Sequence, residues 1–173
     1  MAGVALTVLT VLLLLLGGLL DGLYLGSTGA FRAQDVEVFV YSSDAQDSFL
    51  RSRVDPELRA VVEAVDGVAR TDGIGVAQVA ASLYGDPATT EPDDLLDVAV
   101  LGYEAATGSL PAPPEPGTAY ADDRVRADGV AEGDTIVVGP SATPIEVVGF
   151  VDDASFLLQG SLWTDPETWR QVL

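Results

Sequence analysis

Cysteine, histidine and lysine are all missing from the 173 residues, and methionine occurs only at position 1. Each absence removes a class of chemistry. Without cysteine there is no disulfide framework, no thiolate nucleophile and no thiolate zinc ligand, and the redox compartment is left open. Without histidine there is no Ser-His-Asp triad and no HExxH zinc site. Without lysine there is neither a Walker A phosphate loop nor a Schiff base, so the chain by itself is expected neither to bind nor to hydrolyse ATP. Gly73-Ile74-Gly75 lacks the third glycine of a dinucleotide fingerprint. No catalytic residue, cofactor or bound metal is expected.

Positive charge is scarce as well. The eight basic residues are all arginine and stand against 27 Asp and Glu, a net charge of −19. Phosphate contacts need clustered basic residues, so no nucleic acid partner is expected, and anionic lipid is repelled too. The carboxylates read as a solvated surface. Three adjacent pairs stand out: Asp93-Asp94, Asp122-Asp123 and Asp152-Asp153. Neighbours in a strand point to opposite faces, and neighbours in loops are usually turn residues, so such pairs do not readily share one substrate. No 12-residue loop with EF-hand spacing accompanies them.

What the chain has in abundance is one apolar run. The 19 residues from Ala2 to Leu20 carry no charge and are interrupted only by Thr7 and Thr10 among polar side chains. As a helix they extend about 28 Å, close to the ~30 Å hydrocarbon core of a bilayer. A signal peptide is the rival, but it needs a basic leading segment and an apolar core of roughly 7 to 15 residues. Here Met1 abuts the run directly, and the small residues Ser27 to Ala30 lie well beyond it. A buried core helix is the third reading, and it would be shorter or have a polar face. Asp21 and Tyr24 suit the interfacial end of a span. Residues 1–25 are therefore read as a transmembrane helix and 26–173 as one domain, with room for two lobes about a connector near 108–117. Only Arg32 follows closely after the span, which places the domain outside the cytoplasm.

Beyond the span, periodicity organises the chain. "DVEVFVYSS", residues 35–43, alternates like a strand. Asp55-Pro56-Glu57 opens a helix whose stripe is Leu58, Val61, Val62 and Val65, closed by Gly67. A second strand is expected from Val68 towards Leu83, broken by Gly73 and Gly75. Residues 84–94 form a loop, and "LLDVAVLGY", 95–103, reads as a buried strand. "LPAPPEPG", 110–117, is a stiff extended connector. Thr135–Val138 and Ile145–Val151 are β-branched runs joined by a turn with Pro140 and Pro144, a hairpin signal. A strand then leads into Asp165-Pro166-Glu167, a second helix start. The fold class is α+β: one span, then a small mixed domain with a β-hairpin and βαβ-like elements.

This order of elements resembles a family. A span, "DPELRAVVEAVDGV", "VAVLGYEAAT", "PGTAYADDRVRADGVAEGDTIVVG", "IEVVGFVDD" and "LWTDPETWRQVL" together look like the extracytoplasmic domain of FtsX/MacB-type ABC transporter permeases. The resemblance covers nearly the whole chain and rests on apolar positions and turns, not on a catalytic motif. It implies a permease that is homodimeric or paired and works with a separate cytoplasmic ATPase to transport substrates or transmit force to an external partner. The basic flank before the span, the later spans and the loop that would meet the ATPase are not in this sequence, which reads as a fragment. The expected partners are thus a cytoplasmic ABC ATPase reached through other regions, a second permease chain and membrane lipid. A stand-alone anchored solute-binding or adhesion module is the alternative, and an anchored carboxylate hydrolase a further one.

One stretch is a candidate contact. Phe156, Leu157 and Leu158 are consecutive, and three such side chains cannot all face one core from a strand. Either the segment folds back and buries them, or part of it is exposed for a partner.

Overall fold

The computed structural model describes residues 2–46 and 48–173. Its first helix, α1 (Ala2–Gln34), contains the apolar run and continues through it without a break. The helix is long and apolar enough to cross a membrane: its most apolar window has a mean hydropathy of 2.6, and none of that window is covered by the rest of the chain. The helix runs straight past residue 25, because Gly26 to Gln34 have a surface of their own to pack on.

Six strands follow: β1 (Ile74–Ser82), β2 (Leu96–Tyr103), β3 (Thr118–Asp122), β4 (Thr135–Val138), β5 (Thr143–Val151) and β6 (Gly160–Thr164). They close into a barrel in the order β1-β2-β6-β3-β5-β4, with a short β4–β1 seam at Ala81↔Val138 and Ser82↔Val137. β2–β6 and β3–β5 are parallel, and the other pairs are antiparallel. Strands from both sides of the 108–117 connector share this barrel. The fold is α+β, with a single candidate span among the described residues, ahead of a mixed domain.

Strand β2 is continuously apolar from Val98 to Tyr103, and its packing shows why. Val98 and Val100 face the barrel interior with Ile136, Ile145, Val147 and Leu162. Ala99, Leu101 and Tyr103 face outward into a second core with Trp163, Phe156, Ala30 and Ala33. Both faces are covered, so no polar alternation is needed. The barrel ends are closed by short helices. Helix α3 (Asp123–Ala127) sends Val125 into one end, and α4 (Pro166–Val172) sends Val172 and Trp169 into the other.

Three expected elements differ. Residues 36–41 lie in no strand and pair with none of the barrel strands. The segment opened by Asp55 forms only α2 (Leu58–Glu63), and its stripe residues Leu58, Val61 and Val65 are exposed, so the stripe does not pack on the sheet. Asp55 Oδ1 still accepts from the Glu57 amide at 2.9 Å. The strand expected from Val68 begins at Ile74, after Gly73.

Candidate functional site

The molecule joins its two parts where the last third of α1 meets the β5–β6 connection and the 107–109 turn, over an outer core shared with β2 and β6. Small residues at i, i+3, i+4 and i+7 make this approach: Gly26, Gly29, Ala30 and Ala33 are all buried. A Cβ at Gly29 would sit 2.9 Å from Asp153 O, Ser155 N and Ser155 O, all backbone atoms. The contact is therefore main chain against main chain.

Its hydrogen bonds reach the helix backbone itself. Ala30 N–H donates to Ser155 O at 2.8 Å, while Gly26 O accepts from Leu158 N–H at 2.9 Å and from Ser155 Oγ at 3.1 Å. Gly26 C=O and Ala30 N–H are the i and i+4 groups that an α-helix ordinarily pairs with each other. At the helix end, Ala33 O accepts from Ser109 N–H at 3.0 Å and Gln34 O from the Thr107 hydroxyl. Arg32 reaches across to Asp153, with Nη2–Oδ1 at 2.6 Å, and also donates to Leu25 O at 3.0 Å and Thr28 Oγ1 at 3.1 Å. The Asp153 hydrogen bond raises the Arg32 pKa above its ordinary value.

The structure separates the three candidate contact residues. Phe156 is 1 % exposed and stacks with Phe31 and Phe49, at centroid distances of 5.9 and 6.0 Å. Leu157 and Leu158 are 45 % and 44 % exposed. The segment leaves the sheet as a two-residue turn: Phe156 faces Gln159 across an antiparallel bridge, and Leu157 and Leu158 have φ of 48° and 68°. The apolar triplet thus supplies one core residue and one apolar tip.

Beneath this turn lies a shallow open cleft between α1 and the α3 end of the barrel, lined by Gly22, Gly26, Asp122, Arg124 and Asp153 among others. Asp122 is buried there as the N-cap of α3. Its Oδ1 accepts from the amides of Val125 and Ser161, each at 3.1 Å. Burial raises the Asp122 pKa, against the opposing pull of the backbone amides that favour its charged form. Arg124 Nη1 donates to Leu158 O at 3.0 Å, and its guanidinium lies over Gly26.

Asp122, Asp123 and Asp153, from two of the acid pairs, all line this cleft, but each is engaged: Asp122 is a helix cap, Asp123 pairs with Arg126 and Asp153 with Arg32, while Asp93-Asp94 lie in a 3₁₀ turn. Among the described residues no group of three or more acids is placed to hold a metal. What the sequence did not reveal is the docking face of α1. Its signal was there in the small residues at Gly26, Gly29, Ala30 and Ala33, at helical spacing beyond the span. Compared with known proteins, the sequence matches no family model and no curated protein.

Proposed function

We propose that this chain is the membrane-anchored, extracytoplasmic part of an ABC transporter permease of the FtsX/MacB type, and that it couples a separate cytoplasmic ATPase to transport or to an external partner. One observation carries the reading: α1 continues unbroken from its apolar run into backbone-to-backbone contact with the β5–β6 connection of the barrel domain. A displacement of the span is thereby delivered to the domain with no intervening linker. An anchor whose only task was tethering would be served by a flexible connection. The role is mechanical and partner-binding, and the domain performs no reaction of its own; the order of elements resembles such permeases, and it is this resemblance that supplies the ATPase partner and a second permease chain.

The test uses the full-length gene product in its own cells. Protease added to intact spheroplasts should degrade the region from about Arg32 onward, and affinity purification in detergent should bring down an ATPase with a Walker A motif. Full protection of the domain would overturn the orientation. Recovery of the protein without any ATPase, under conditions that preserve known permease complexes, would overturn the permease assignment.

A further inference from the structure

The turn at Leu157–Leu158 has a sequence that its geometry does not select. A two-residue hairpin with both central φ angles positive favours Asn-Gly or Asp-Gly, because a Cβ is disfavoured in the left-handed region. Two leucines here sustain that strain and are still nearly half exposed. Neither burial nor turn chemistry accounts for both.

Their position does. Leu158 N–H is bonded to Gly26 O, and the Leu158 Cδ2 methyl covers Gly26 so closely that a Cβ there would lie 2.7 Å from it. Gly26 is six residues past Leu20, the end of the uncharged run. That is about 9 Å along the helix. The headgroup layer adds roughly 5 to 7 Å to each side of the hydrocarbon core, and spanning helices tilt by about 20° on average. The turn therefore lies beside the emerging span, at the outer margin of the lipid. Exposed Leu23, Tyr24 and Leu25 continue the apolar surface from the span to this level.

The charges around it fit a lipid interface. Arg32 pairs with Asp153 and Arg126 with Asp123, and Asp122 is buried as a cap. Among the described residues Arg124 is in no ion pair and holds only the Leu158 carbonyl, while Asp152 is exposed. A guanidinium in no ion pair, at the level of Leu158 over Gly26, is the arrangement in which an aliphatic stem joins the apolar contact and the charge reaches for phosphate. Exposed Asp21 and Asp152 leave this surface without net positive charge, which suits zwitterionic rather than anionic lipid.

We infer that the Leu157–Leu158 turn is a second membrane contact: the two side chains enter the lipid interface beside α1, with Arg124 at the phosphates, and so fix the height and tilt of the barrel on the bilayer. The inference rests on the reading of α1 as a span.

The absence of cysteine makes the test direct. Single variants Leu157→Cys, Leu12→Cys and Ser141→Cys of the full chain are labelled with an environment-sensitive fluorophore. They are then reconstituted in phosphatidylcholine vesicles containing nitroxide lipids. Ser141 lies in the β4–β5 turn, at the barrel end closed by α4 and opposite the Leu157 turn. The label at 157 should be quenched several-fold more than the label at 141, and most strongly by nitroxides near the headgroup. If 157 is quenched no more than 141 while 12 is quenched, the span stands and the second contact is overturned. If 12 also escapes quenching, the span itself fails and the inference with it. If the 157 label is shielded from water but not quenched by lipid, and cross-links to a second copy, the turn is a protein interface and the lipid contact is overturned.

Discussion

Phe156 and Leu157 are neighbours of similar hydrophobicity, yet the structure asks different things of them. The Phe156 ring fills a space bounded by Phe31, Phe49 and the outer face of the barrel wall. Truncating it leaves a cavity that rigid aromatic neighbours cannot fill, so Phe156→Ala should cost about 3–5 kcal/mol. Leu157→Ala removes a half-exposed side chain and should change stability by no more than about 0.5 kcal/mol. Chemical denaturation of the detergent-solubilised chain, followed through Trp163 and Trp169, distinguishes the two, and equal losses would refute the division. The sequence made it legible that the three apolar residues could not all face one core from a strand, and left open whether a fold-back buries all three or one is exposed. Which one was not legible, because the outcome is set by two positive φ angles that leucine does not announce.

Among the elements, the strands covered on both sides and the hairpin were readable, because they carry their own signal. Strand β2 is apolar from Val98 to Tyr103, and β4–β5 pair across a short turn. The barrel was not readable. Its closure depends on the parallel pairs β2–β6 and β3–β5, which join residues far apart in the chain and leave no local pattern. The 36–41 segment shows the converse: alternation makes a strand possible, but a strand exists only when a partner supplies its hydrogen bonds. Helix α4 shows how an end of the barrel is fitted. Gly75 and Gly102 are directly opposed across β1 and β2, and together they leave a flat seat for Trp169. A Cβ at Gly102 would lie 2.5 Å from the Trp169 Cβ. In an open strand Gly→Ala is favourable by roughly 0.5–1 kcal/mol. Here Gly102→Ala should instead destabilise by about 1–3 kcal/mol through overpacking, and shift the Trp169 emission as α4 lifts from the barrel end. An unshifted spectrum with unchanged or greater stability would show that α4 does not depend on the seat.

For the molecule as a whole, the question is whether the span and the barrel move as one body. The join has no linker: the helix that leaves the apolar run is the same helix that docks on the β5–β6 connection and the outer core. Its fit depends on Gly29, whose missing side chain lets three backbone atoms of the 153–155 segment approach. Gly29→Ala sets two effects in opposition. Alanine is the better helix former by about 1 kcal/mol, so α1 itself gains. The same methyl meets main-chain atoms that have no rotamer with which to yield, so the docking loses. Gly22→Ala brings the same helical gain at a position where a Cβ meets nothing within 4 Å, and it serves as the control. Spin labels at Leu12→Cys and Ser141→Cys report the distance between the span and the far end of the barrel. In the parent and in the Gly22→Ala background the distribution should be narrow and alike. In the Gly29→Ala background it should broaden, with the Ala30–Ser155 and Leu158–Gly26 amides losing protection from hydrogen exchange. A broad distribution in the parent would mean that the unbroken helix does not transmit position. A narrow one that survives Gly29→Ala would mean that coupling comes instead from the Arg32–Asp153 pair and the Ala33–Ser109 bond near the helix end.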